Sequence, residues 1–219
     1  MFGRSLALLR GNLAIAVPGL VVAVVLALVQ YALTPADPLA DDLFRRSLAL
    51  AAQVLATIVS IAYTTGMADA AWVRGRAGFP DGARAFRRDG GHVFVALLVL
   101  FALGIVAAIL AAYTFLLSLL VYAFFCIYTM AAAVSGERPG LRAIAESAEI
   151  AFRRPLPTIG IVLGIAAVAF AMGVLATLIA GAPFVGPLAA DVVVQFVVAY
   201  AALVVVGEYR ALRDGGVPA

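Results

Sequence analysis

Six long apolar runs, separated by short loops that carry most of the arginines, constrain this fold more than any other feature of the sequence. A helix needs about 20 apolar residues to cross a hydrocarbon core of roughly 30 Å. Hydrophobic residues make up 65% of the chain and charged residues 12%, so a water-soluble fold would leave large apolar patches exposed. We therefore expect an all-α integral membrane bundle forming one transmembrane domain over residues 1–219. The predicted spans are residues 12–32, 47–73, 93–112, 115–134, 158–180 and 188–206.

The first apolar run has a competing interpretation as a signal peptide, because Arg4 and Arg10 precede it. Its apolar core of about 20 residues is longer than the core of a typical signal peptide. The length favours a retained span. Pro18 lies inside this span, where it would remove a backbone hydrogen bond and kink the helix.

The arginines predict the orientation of the bundle. Only Arg45 and Arg46 fall on one side, in a segment that also carries Asp37, Asp41 and Asp42. The other arginines lie at the N terminus, in the 74–89 and 135–155 loops, and in the tail from residue 207. The positive-inside rule then places both termini in the cytoplasm. The same rule explains the basic charge without a nucleic-acid partner.

A short basic motif recurs before the odd-numbered spans. It is clearest at 86–92 (FRRDGGH) and 152–155 (FRRP), and fainter at 8–11 (LLRG). The even-numbered spans carry Tyr63, Tyr128 and Tyr200, each ten or eleven residues before an arginine. Both patterns predict a three-fold internal repeat of helix pairs, each preceded by a short cytoplasmic amphipathic segment.

Two loops are long enough to form such amphipathic segments. In the first, residues 83–88 are expected to form one or two helical turns that end at Gly90-Gly91. In the second, Pro139 is expected to open a helix, and Pro155 and Pro157 to end it. Its apolar face would hold Leu141, Ile144, Ala148 and Phe152, with Arg142–Glu146 and Glu149–Arg153 pairs opposite. A solvated connector is the alternative interpretation of this loop.

The polar residues within the spans give two candidate roles. Asp69 lies near Arg74 and Arg76 and is expected to form a structural ion pair or to reach interfacial water. A candidate polar pathway consists of Tyr63, Tyr128, Asp191, Gln195 and Tyr200, because the three tyrosine rings are expected near mid-bilayer, roughly 15 Å from the inner arginines.

The sequence contains few residues that could support catalysis or bind a metal ion. Asp69 and Asp191 would lie roughly 22 Å apart along the membrane normal, too far to share a proton as a catalytic dyad. One histidine, His92, and one cysteine, Cys126, cannot build a metal site, and there is no nucleotide-binding fingerprint. We expect no enzyme activity and no cofactor.

The arrangement of amphipathic segment, Phe-Arg-Arg and paired spans resembles a family of six-span prokaryotic integral membrane proteins. These include the membrane domain fused to some glycerophosphodiester phosphodiesterases, and related stand-alone proteins of unassigned function. The matching segments are GFPDGARAFRRDGGHVFVALLVL, GERPGLRAIAESAEIAFRRPLPTIGIVL and FGRSLALLRGNLAIAVPGLVV. The resemblance implies a bacterial or archaeal cytoplasmic membrane. The phosphodiesterase catalytic domain is absent from this sequence, so the resemblance supplies neither that activity nor site residues.

Two functions of different kinds follow. The first is a non-enzymatic protein with an organising or accessory role, which engages membrane lipids or a membrane-protein partner. The residues predicted to contact anionic lipid are Arg84, Arg87, Arg88, Arg142, Arg153 and Arg154. The alternative is a small-solute or lipid transporter that uses the polar pathway. Small residues such as Gly160 and Gly164 favour close helix packing, within one bundle or in a homo-oligomer.

Overall fold

A computed structural model describes residues 2–33, 43–114, 117–180 and 186–213, and within these ranges the chain is helical almost throughout, with no strand. The all-α prediction is confirmed. Asp37, Asp41 and Asp42 lie outside the described residues. The helices are α1 Phe2–Gly11, α2 Val17–Leu33, α3 Leu43–Arg74, α4 Phe79–Thr114, α5 Leu117–Cys126, α6 Thr129–Val134, α7 Gly140–Arg153, α8 Pro155–Ala180 and α9 Gly186–Arg213, with a 3₁₀ turn at Leu13–Ala16 before α2.

Five segments of the described chain are long and apolar enough to cross a bilayer. A sixth is added if α1 and the following helix, which meet at a 91° bend, count as one broken span. The structure therefore supports a multi-pass membrane protein. The five segments are Ser47–Arg74, Phe79–Thr114, Leu117–Val134, Pro155–Leu175 and Val192–Arg213.

The bend before α2 is built around the buried side chain of Asn12. Its amide nitrogen donates to the carbonyl oxygens of Leu8 (2.9 Å) and Gly75 (3.1 Å), and its oxygen accepts from the backbone N–H of Ala77 (2.7 Å). The side chain thus ties the bend to the loop after α3. Pro18 is the second residue of α2, where no intrahelical N–H bond is needed, so the chain bends at Asn12 and not at Pro18.

Helix α4 runs without a break through Gly90 and Gly91. The prediction that a helix would end at this pair was wrong. A glycine in a helix interior lowers helix stability by only about 1 kcal/mol. One row of buried residues continues along α4 across the glycine pair, and its packing outweighs this cost. The buried stripe comprises Gly82, Ala85, Asp89, Val93, Ala96 and Leu100.

The junction of α7 and α8 follows the sequence prediction. Helix α7 ends at Arg153, Arg154 leaves the helical conformation (φ −133°), and α8 begins at Pro155. Pro155 and Pro157 both lie in the first turn of α8, where proline needs no N–H partner. Helix α9, by contrast, continues beyond the predicted span end at residue 206 to Arg213, so the described part of the expected tail is helical.

The buried core lies toward the end of the bundle that carries Arg74, Arg138 and Arg213, which we call the basic end. Small and branched side chains from α3, α6 and α9 fill it: Ala62, Met67, Ala68, Ala71, Ala131, Ala132, Ala133, Val134, Leu203, Val204 and Val206. Toward the opposite ends of the helices, apolar side chains such as Leu28, Ile109 and Phe170 are exposed, which suits contact with lipid. The tight packing at the basic end holds the polar groups of the candidate site in place.

Candidate functional site at the basic end

The three tyrosines of the predicted repeat lie against three different helices. The Tyr63 ring packs 5.7 Å from the Phe86 ring on α4. It also lies on Gly82, where an added Cβ would come within 2.7 Å of the ring. The Tyr200 hydroxyl donates to the carbonyl of Phe2 on α1 at 3.4 Å. These two side chains therefore join helices and do not meet in one cavity.

Tyr128 lies at a break in the predicted fourth span, between α5 and α6, and is fully buried. Its hydroxyl shares a hydrogen bond with the Thr158 hydroxyl of α8 at 3.2 Å. Ser147 of α7 bridges the break: its hydroxyl donates to the Phe125 carbonyl (2.6 Å) and accepts from the Tyr128 N–H (3.1 Å). The break is thus stabilised by a side chain from a neighbouring helix.

The other two members of the candidate pathway lie on α9. The Gln195 side chain contacts α2 so closely that a Cβ on Gly19 would lie 2.0 Å from its Oε1 atom. Asp191 lies on the helix, and its side chain is outside the described part of the structure. The structure therefore places Gln195 at a helix contact and does not describe where the carboxylate of Asp191 lies.

A first basic pocket of about 420 Å³ lies between α3 and α4, and its charges are neutralised internally. Asp81 pairs with Arg74 (2.6 Å) and with Arg84. Arg88 pairs with Asp89 (2.9 Å) and Glu137 (2.8 Å), and also donates to the Val134 carbonyl. Each arginine that lines this pocket therefore already contacts a carboxylate.

Asp69, at the rim of the first pocket, forms the ion pair expected from the sequence but with a different partner. Its two carboxylate oxygens accept from Nε (2.7 Å) and Nη2 (2.9 Å) of Arg210 on α9. Arg74 pairs with Asp81 instead. This partner is not predictable from local sequence, because Arg210 and Asp69 are 141 residues apart in the chain.

A second basic pocket of about 570 Å³ lies between α7 and the end of α9 and carries an excess of positive charge. Five arginines and two glutamates line it: Arg138, Arg142, Arg153, Arg154, Arg213, Glu146 and Glu149. Two of the arginines, Arg138 and Arg153, are held by Glu146 (2.7 Å) and Glu149 (2.5 Å). Of the other three, Arg154 also interacts electrostatically with Glu208 of α9, so Arg142 and Arg213 contribute most of the excess charge.

The pairing of Glu146 differs from the sequence prediction. Glu149–Arg153 forms as expected, but Glu146 accepts from Arg138 and from the Tyr209 hydroxyl (2.7 Å). Within the described chain Arg142 is exposed and has no ion pair, and Arg213 donates to the Ser135 carbonyl (2.9 Å). The reassigned pairing leaves the Arg142 guanidinium available to an anion.

The six arginines predicted to contact lipid divide between these environments. Arg84 and Arg88 line the neutralised first pocket, Arg142, Arg153 and Arg154 line the second, and Arg87 is exposed outside both. Sequence reasoning missed Ser147, Tyr209 and Arg213. A detectable signal existed for Tyr209, because it continues the helical spacing of the apolar residues of α9 past residue 206.

The Asp69–Arg210 pair gives a test of the contacts at the end of α9. We expect Asp69→Asn to lower the free energy of unfolding by about 1–2 kcal/mol, because two hydrogen bonds to a charged group are weakened at a partly buried site. Glu149→Gln is the matched control, since its pair with Arg153 is mostly exposed and should contribute below about 0.5 kcal/mol. Unfolding in detergent measures both, and equal losses would contradict the structural role of Asp69.

Among the described residues, no group of three or more His, Cys, Asp and Glu side chains is arranged to hold a metal ion. Cys126 is a free thiol on α5, and the buried Nδ1 atom of His92 has no hydrogen-bond partner in the described part of the chain. Comparison of the chain with protein-family models, curated proteins and solved structures gives no match. The resemblance stated from the sequence therefore stays a hypothesis, and functional inference depends on the geometry of the basic end.

Proposed function

We propose that this protein binds anionic lipid headgroups through the second basic pocket and has an organising or accessory role in the membrane, without enzyme activity. The observation that carries the proposal is the excess of arginine over glutamate there, with Arg142 free of any ion pair in the described chain. Guanidinium groups bind phosphate oxygens in a bidentate manner. The phosphodiester of a lipid headgroup would neutralise positive charge in this pocket that the protein's own glutamates do not.

The contrast between the two basic pockets supports this choice of site. In the first pocket an added anion would compete with carboxylates that already hold Arg74, Arg84 and Arg88. In the second pocket it would meet arginines in excess. Each arginine near an anionic membrane surface contributes about 1 kcal/mol to lipid association. The second pocket should therefore attract anionic lipid more strongly than the first.

The proposed architecture is a ring of three helix-pair modules, each preceded by an amphipathic segment. The contacts of the tyrosines support it, because each reaches the amphipathic segment of the next module. Tyr63 contacts α4, Tyr128 contacts α7, and Tyr200 contacts α1, which closes the ring. In this arrangement α1, the start of α4 and α7 lie at the membrane surface, in the cytoplasmic membrane of a bacterium or archaeon with both termini inside.

A quantitative test compares two double variants of the full-length protein in mixed-lipid nanodiscs. Arg142→Gln with Arg154→Gln removes two charges from the second pocket and is expected to weaken retention of phosphatidylglycerol about 30-fold, because each lost guanidinium–phosphate hydrogen bond contributes about 1 kcal/mol. Arg10→Gln with Arg76→Gln removes the same charge at exposed positions outside both pockets and should have a smaller effect. Native mass spectrometry counts bound lipid, and equal effects of the two pairs would overturn the proposal.

The second candidate function is a small-solute or lipid transporter, and the break in the fourth span favours it. Discontinuous helices often line substrate sites in transporters because they free backbone polar groups. Here Ser147 occupies two of those groups, which favours the binding role. Lipid flipping or solute flux in proteoliposomes, lost on Tyr128→Phe substitution, would support the transporter instead.

A further inference from the structure

An apolar pocket of about 480 Å³ lies between α4, α5, α8 and α9, away from both basic pockets. Its lining includes Leu120, Tyr122, Cys126, Val162 and Val205. Val162 and Val205 are buried, whereas Leu120 is 43% exposed, so the pocket is open to the outside of the bundle beside α5. Its position in the spanning part of the helices puts that opening in lipid.

The chemistry of the lining selects an apolar occupant. The Tyr122 hydroxyl is the strongest polar group in the lining, and it already donates to the Leu100 carbonyl at 2.9 Å. Apart from this residue and the Cys126 thiol, the lining residues are aliphatic. A hydrocarbon chain fills such a pocket without leaving a polar group unpaired.

The apolar pocket and the second basic pocket share their supporting helices. Along α9, Val205 lines the apolar pocket and Leu212 lines the basic one, seven residues apart, or about 10 Å. Along α8 and its junction, Val162 and Arg154 are eight residues apart, or about 12 Å. Ser147 of α7 holds the break directly beside Cys126 and Ile127 of the apolar lining.

We propose that the two pockets bind one molecule, a diacyl anionic phospholipid, with its phosphate in the second basic pocket and one acyl chain in the apolar pocket. The proposal rests on the headgroup binding proposed above. The interfacial layer of a bilayer leaflet is about 5–8 Å thick, so a phosphate and the upper part of its acyl chain are separated by a distance comparable with the 10–12 Å along the helices. The basic pocket and the apolar pocket thus follow each other in the same order as the phosphate and the acyl chain of a phospholipid.

The test uses the full-length protein in detergent and two phosphatidylglycerols, one with long acyl chains and one with six-carbon chains. We expect the long-chain lipid to bind at least about ten-fold more tightly than the six-carbon lipid. This ratio of affinities should be larger than the ratio for lipid bound at an unrelated position on the lipid-facing surface. Ala123→Phe fills the apolar pocket and should abolish this chain-length preference while leaving selectivity for phosphatidylglycerol over phosphatidylcholine. Ala108→Phe, at an exposed position of α4 outside the pocket lining, is the matched control.

A phosphatidylglycerol carrying a photoreactive diazirine in mid-chain gives a second readout on the wild-type protein. Cross-links are expected on the peptides of α5 and α8 that line the pocket, and competition by long-chain phosphatidylglycerol should remove them. Headgroup selectivity without chain-length preference or pocket cross-links would overturn the single-lipid site and leave the proposed function standing. Loss of headgroup selectivity itself would overturn both.

Discussion

Ser147→Ala is expected to lower the free energy of unfolding by about 3 kcal/mol, among the largest effects of any single hydroxyl in this protein. The hydroxyl serves the Phe125 carbonyl and the Tyr128 N–H at the break between α5 and α6. Its removal leaves two backbone groups unpaired beside apolar helices, at about 1–3 kcal/mol each. Titration with sodium dodecyl sulfate in mixed micelles, followed by circular dichroism, measures the loss.

Ser135→Ala is the matched control for this prediction. The Ser135 hydroxyl is also buried, but it has no hydrogen-bond partner among the described residues, so its removal should be neutral or stabilising. Ser147→Thr, which keeps the hydroxyl, should retain part of the stability. Equal midpoints for Ser147→Ala and Ser135→Ala would show that the break is not held by Ser147.

Asn12→Ala is expected to lower the free energy of unfolding by about 2–4 kcal/mol and to loosen α1 from the bundle. The substitution removes three hydrogen bonds, including those to Gly75 and Ala77 of a loop 63 and 65 residues away. Gly75 has a positive φ of 74°, which glycine adopts more readily than other residues, and in this turn its carbonyl and the Ala77 N–H both reach the Asn12 side chain.

The single tryptophan reports the loosening directly. Trp72 donates to the Leu203 carbonyl (2.6 Å), and the Arg4 guanidinium carbon of α1 lies 4.9 Å from its ring centroid. In Asn12→Ala we expect a shift of the tryptophan emission maximum together with the lower stability. Asn12→Asp keeps the acceptor for Ala77 but places a carboxylate oxygen against the carbonyls of Leu8 and Gly75, so it should lower the stability at least as much as Asn12→Ala. An Asn12→Ala protein with unchanged emission and unchanged stability would contradict this role of the side chain.

The positions of five apolar helices long enough to cross a bilayer were predictable from the sequence because they follow from local composition. A run of about 20 apolar residues crosses the bilayer as a helix whatever its neighbours are, and Pro155 and Pro157 end one helix and open the next through their own backbone geometry. The Gly90-Gly91 prediction was wrong for the converse reason. Local propensity favours a helix end there, and only the continuous buried stripe of α4, formed by packing against other helices, overrides it.

The same distinction between local composition and helix packing applies to the candidate site. The sequence alone determined an all-helical membrane protein with its arginines concentrated in a few short segments, because hydropathy and charge are properties of each residue. Tertiary structure decided which arginines are neutralised. Arg210 pairs with Asp69, and Glu146 pairs with Arg138 instead of the predicted Arg142. An excess of positive charge therefore remains between α7 and α9. Ion pairing depends on distances of a few ångströms between residues far apart in the chain, and helix packing alone sets those distances.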